Sequence, residues 1–125
     1  MEKVKFLIVG GGFFLSETII DCLKNLEFKD FIKVDEYEEV LKKTSDDINF
    51  IIMNWNAEKS PGLIKLIRDN ENSKKLPILL MAFRYEKDEI DEYVNYNIIY
   101  KPFCPELLNE KIEKLLDKQK ELVVS

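Results

Sequence analysis

Asn49-Phe50-Ile51-Ile52-Met53-Asn54-Trp55-Asn56 is the stretch whose reading decides the fold. Its apolar run breaks abruptly into an amide, an indole and a second amide. That is the pattern of a buried strand, expected here over Ile48–Met53, which delivers side chains at its carboxyl end. In open parallel sheets such ends border the crevices where ligands bind. Asn54 carries no charge at neutral pH and is a poor nucleophile, so the site it would border looks chemically disarmed.

Upstream, Val4 to Val9 is a short apolar run that empties into Gly10-Gly11-Gly12, a strand followed by a flexible turn. Phe14, Ile19, Cys22, Leu23 and Leu26 then recur at helical spacing with polar residues between them, an amphipathic helix. Phe31–Val34 is a second strand. Asp35 stands three residues before Glu38, as an N-cap stands before its N3 partner, ahead of a short helix carrying Val40 and Leu41. Downstream, Pro61-Gly62 punctuates a loop before a helix marked by Leu63, Ile64, Leu66 and Ile67. Pro77–Phe83 is a fourth strand, and 86–96 an acidic helix anchored by Ile90 and Val94. Ile98–Tyr100 is a fifth strand, after which Pro105 opens a last helix with Leu107, Leu108, Ile112, Leu115 and Leu116 on one side. The tail Lys118–Ser125 either extends that helix into a partner contact or frays. Five apolar strands alternating with helices imply an α/β domain with a parallel sheet covered on both faces. All strand-to-helix loops then gather at one edge, bringing Gly10–Gly12, Asn54–Asn56, Ala82–Arg84 and Lys101 together.

The 125 residues form one domain, 1–125, with an ordinary apolar fraction of 46% that argues against disorder. A formal net charge of −5 makes nucleic acid a poor direct partner. There is no histidine, and Cys22 and Cys104 are the only cysteines, so zinc sites and histidine-based catalysis are nearly excluded. Both cysteines are expected to be reduced packing residues in a cytoplasmic chain. The basic and apolar start is followed by an amphipathic pattern rather than a cleavage site, and no apolar run is long enough for a membrane span. Asp46-Asp47 reads as a solvated strand entrance, not a metal site.

The order of these pieces resembles a two-component response-regulator receiver domain, the CheY-like family. Lys5-Phe6-Leu7-Ile8-Val9 is similar to that family's first strand, Ile51-Ile52-Met53-Asn54-Trp55-Asn56 to the third and Leu76-Pro77-Ile78-Leu79-Leu80 to the fourth. Lys101-Pro102-Phe103 is similar to the end of the fifth. The resemblance spans nearly the whole chain and implies a flavodoxin-like, doubly wound five-stranded parallel sheet, order 2-1-3-4-5, with five helices. It also implies an acidic pair for Mg²⁺, an aspartate phosphoacceptor, a hydroxyl residue, an aromatic switch and a lysine. Those positions fall on Gly10 and Gly11, Asn54, Ala82, Ile98 and Lys101, so only the lysine is kept. Without a nucleophilic carboxylate and a metal to neutralise developing charge, the family's phosphoryl transfer has no chemical basis. No cofactor is therefore expected, Mg²⁺ included, and the loss of the hydroxyl–aromatic pair predicts one dominant conformation.

Lys101 is the odd charge to explain. Stripped of counter-charges, it should reach water, find carbonyls or attract an anion. Gly11, Gly12, Arg84 and Lys101 form a candidate anion site. Tyr85, Tyr93, Tyr96 and Tyr100 cluster in the region through which the family contacts partners and form a candidate docking face. The expected function is a non-catalytic pseudo-receiver in a signalling pathway, acting through phosphorylation-independent contact with a protein partner. It is expected to be a monomer or weak homodimer that binds neither nucleic acid nor membrane directly. The alternative is a small-molecule or anion sensor using the pocket at Gly10–Gly12 and Lys101.

Overall fold

The computed structural model describes residues 3–44, 47–93 and 97–124, and their side chains apart from 91–93 and 119–124. Five strands, β1 (Lys5–Val9), β2 (Asp30–Val34), β3 (Phe50–Asn54), β4 (Ile78–Ala82) and β5 (Asn97–Tyr100), form one parallel sheet in the order β2-β1-β3-β4-β5. The helices are α1 (Gly12–Asn25), α2 (Val40–Lys43), α3 (Ser60–Asp69), α4 (Lys87–Tyr93) and α5 (Pro105–Val124). This is the doubly wound topology that the alternating pattern and the resemblance imply.

Successive strand side chains point to opposite faces, so the uninterrupted apolar runs fill two cores at once. Leu7, Val9, Ile51, Met53, Ile78 and Leu80 pack against Val40 of α2, Leu63, Ile64 and Ile67 of α3, and Ile90 of α4. Phe6, Ile8, Phe50, Ile52, Leu79 and Met81 pack on the other face. There they meet Ile19, Ile20 and Leu23 of α1 and Leu108, Ile112 and Leu115 of α5. Burying each large side chain stabilises the fold by about 1.5–3 kcal/mol, and β1, β3 and β4 are almost entirely buried. Strands buried on both faces leave no room for polar residues until they end.

Several boundaries differ from the sequence reading, each for a local reason. Ile48 and Asn49 precede β3, because the Asn49 side-chain oxygen accepts the Lys5 backbone N–H at 2.7 Å and closes the entrance. Asp35 is not an N-cap. The chain enters α2 through a 3₁₀ turn over Tyr37–Glu39 whose cap residue, Glu36, makes no side-chain capping bond. Pro61 and Gly62 lie inside α3 rather than in a loop, since the first helical turn does not need proline's missing N–H. A 3₁₀ turn over Arg84–Glu86 precedes α4, so that helix starts one residue later than expected; residues 94–96 lie outside the described set. Phe14 and Leu66 do not join the apolar faces assigned to them, being 85% and 54% exposed. Cys22 packs in the core, but Cys104 is exposed, which corrects the expectation that both are packing residues. Among the described residues no helix is long and apolar enough to cross a membrane.

Candidate functional site at the carboxyl edge of the sheet

The carboxyl ends of β1, β3, β4 and β5 meet at one edge. Beyond β1, the Gly10 N–H continues the ladder to the Val34 carbonyl at 2.9 Å, and the chain then turns through Gly10 at φ 71°. A side chain would do more here than strain the backbone. A Cβ on Gly10 would stand 2.5 Å from the Tyr37 hydroxyl oxygen and 3.0 Å from two of its ring carbons. Tyr37 is buried, and its hydroxyl donates to the backbone carbonyl of Asn54 at 2.6 Å. The phenol therefore lies across the end of β1 and ties it to the end of β3. Burial pushes its pKa up, opposed by hydrogen bonding with Asn54 and Ser60.

Asn54 is the last residue of β3 and only half-buried. Its side-chain oxygen accepts a hydrogen bond from Lys101 Nζ at 2.8 Å. Lys101 follows β5, anchored by its own N–H to the Ala82 carbonyl at 2.8 Å, and its peptide bond to Pro102 is cis. Nζ also stands 4.2 Å from the centroid of the Phe83 ring, within reach of a cation–π attraction. Among the described residues Lys101 forms no ion pair. Burial pulls its pKa down, partly offset by the charge of Glu86. Of the three fates open to this lysine, the structure selects a carbonyl, that of the Asn54 amide.

The other expected site residues divide cleanly. Ala82 is fully buried at the end of β4, and Ile98 sits opposite Leu80 with its side chain against the core, so neither brings a polar side-chain atom to the edge. Gly11, at φ 89°, precedes the first turn of α1, which opens with Gly12. Arg84 turns its guanidinium over the Tyr100 ring, 4.9 Å from the centroid. Tyr85 is 82% exposed and stacks on Phe83 with centroids 5.5 Å apart. Tyr96 and the side chain of Tyr93 lie outside the described residues. Among those residues no three His, Cys, Asp or Glu side chains come together as metal ligands.

Sequence reasoning missed Tyr37, and no local signal marks it: it is one tyrosine in an acidic stretch, brought to Gly10 by the turn into α2. It also missed the bond from Trp55 Nε1 to Glu89 at 3.2 Å, which ties the β3 exit to α4. Asn56 was legible in principle. It accepts the N–H groups of Glu58 and Lys59, while Ser60 accepts the Asn56 N–H at 2.8 Å, so it shapes the turn into α3.

No family model matches the chain. Among curated proteins it is 28% identical over 121 residues to the chemotaxis protein CheY of Pseudomonas aeruginosa, spanning 92% of this chain and 98% of that one. It is 28% identical to CheY1 of Helicobacter pylori over 120 residues, spanning 90% and 97%. Among solved structures, CheY4 of Vibrio cholerae superposes with a TM-score of 0.78 at 21% identity over 91% of this chain and 99% of that one. The signal receiver domain of an HD domain-containing protein from Pseudomonas fluorescens gives 0.82 at 14% identity over 97% and 92%. At these identities the solved structures establish the fold. The similarity to the curated chemotaxis proteins, which runs along nearly the whole chain, supports a CheY-like receiver domain.

Proposed function

We propose that this receiver signals without being phosphorylated, as a non-catalytic cytoplasmic module that works by contacting a protein partner. The observation that carries the reading is the Asn54–Lys101 hydrogen bond. The group facing the lysine at the end of β3 is an amide, whose nitrogen lone pair is delocalised and whose oxygen is already engaged. Phosphoryl capture needs an activated nucleophile and a metal-neutralised charge. Gly10 and Gly11 offer no carboxylate to a cation, and Tyr37 lies over the first of them. Exposed Tyr85, stacked on Phe83, supports the β4–α4 side as part of the contact surface.

Incubation with acetyl phosphate and Mg²⁺, read by intact mass and by Trp55 fluorescence, tests this. No mass gain and no Mg²⁺-dependent change are expected. A phosphorylated species overturns the reading. The alternative, a weak anion sensor, would place an anion beside Gly11, Gly12, Arg84 and Lys101, where the Lys101 ammonium already donates to the Asn54 oxygen and feels the charge of Glu86. Phosphate titration followed by NMR separates the two, since only a sensor moves those residues' resonances at millimolar ligand.

A further inference from the structure

The end of the sheet opposite Asn54 and Lys101 holds a groove of about 930 Å³, where β1 and β2 begin beside the close of α1. Strands of five residues place the two ends about 16 Å apart, so the groove is separate from the site described above.

Its floor is aromatic. Phe28 and Phe31 line it and are only partly buried. Each packs on the fully buried Phe6, with ring centroids 4.9 and 6.5 Å away. A planar ligand laid on them would extend the ring contacts they already make with Phe6.

The rim is basic. Lys3, Lys24 and Lys29 are exposed around the groove, and the ion pairs among the described residues use Lys33, Lys59 and Lys74 instead. Glu27 and Asp30 also line it. Three lysines against two carboxylates leave a local positive excess on a chain whose total is −5. The carboxyl end of a helix ordinarily repels anions through its unsatisfied carbonyls. Here Leu26, Glu27 and Phe28 donate their N–H groups to the carbonyls of Cys22, Leu23 and Lys24 at 2.9–3.1 Å, so these are already engaged. The turn that does this puts Glu27 in the left-handed region, φ 72°, and swings Phe28 back toward the core.

We propose that this groove binds a planar aromatic anion of the kind a mononucleotide presents, with its ring on Phe28 and Phe31 and its anionic group on the lysine rim. An aromatic floor alone would take any flat apolar molecule, and lysines alone any anion. Their juxtaposition selects ligands that carry both features.

NMR titrations of the full chain with adenosine monophosphate, adenosine and inorganic phosphate test this. The nucleotide should shift residues 24–31 saturably, with adenosine and phosphate each at least about tenfold weaker. Exchanging Lys24→Gln together with Lys29→Gln should weaken the nucleotide about tenfold while the rest of the spectrum stays native. The control Lys59→Gln should leave binding unchanged. Four results overturn the proposal: no saturable shift at 24–31, adenosine or phosphate binding as well as the nucleotide, insensitivity to the double lysine exchange, or shifts mapping to Gly10–Gly12 and Lys101 instead.

Discussion

Adding one methyl group at Gly10 tests whether Tyr37 fills the space at the end of β1. Gly10→Ala forces a side chain into the left-handed region, which costs about 1–2 kcal/mol. It also drives a Cβ to 2.5 Å from the Tyr37 hydroxyl oxygen. The tyrosine must then move, costing about 1–3 kcal/mol in overpacking and about 1 kcal/mol for the bond to the Asn54 carbonyl. The total is about 3–6 kcal/mol. Gly12→Ala is the matched control: its φ is 73°, but nothing lies within 4 Å of the added carbon, so it should cost only the backbone term, about 1–2 kcal/mol. Urea unfolding followed by Trp55, the only tryptophan and a buried one, reads both. Repeating Gly10→Ala on Tyr37→Phe removes the 2.5 Å contact and leaves two at 3.0 Å. The pair should therefore show a coupling of about 1–2 kcal/mol. Equal costs for Gly10→Ala and Gly12→Ala, or no coupling to Tyr37→Phe, would refute the placement of the phenol across Gly10.

Two further outcomes follow from the same packing. Tyr37 has its pKa raised above 10.0 by burial. Its stabilisation is therefore fully present below that pH and is lost as pH rises through the folded value; unfolding free energies at alkaline pH should fall for the native chain relative to its own neutral value, and fall less for Tyr37→Phe. The Cys22 thiol is buried and its pKa pushed up by burial and then by Asp21 and Glu106, whereas Cys104 is exposed. A thiol reagent should modify Cys104 rapidly in the folded chain and reach Cys22 only on unfolding, so fast labelling of both thiols in native buffer would contradict the packing of α1.

Much of the fold is legible because its signals are local. β4 is apolar throughout, and no polar residue interrupts β3 before Asn54, since both strands are covered on two faces. The helices were found by periodicity, but their edges were not, because a boundary depends on which side chain satisfies a free backbone group. Asn49 reaching Lys5 and the 3₁₀ turn before α2 are decided that way. Phe14 shows the limit of periodicity: it fits the apolar spacing of α1 yet stands in solvent, while Ser16 is buried.

Sequence alone determined the class of sheet, the edge at which the loops meet and the identity of the groups that arrive there, above all an amide at the end of β3. Strand propensity, alternation and strand-end position are properties of short windows, and they survive without knowledge of the neighbours. Tertiary structure alone decided which of those groups touch. Lys101 meets Asn54 across 47 residues, Trp55 meets Glu89 across 34, and Tyr37 meets the Asn54 carbonyl across 17. Each contact depends on strand register and side-chain direction, and a slip of one residue along a strand sends every side chain to the opposite face.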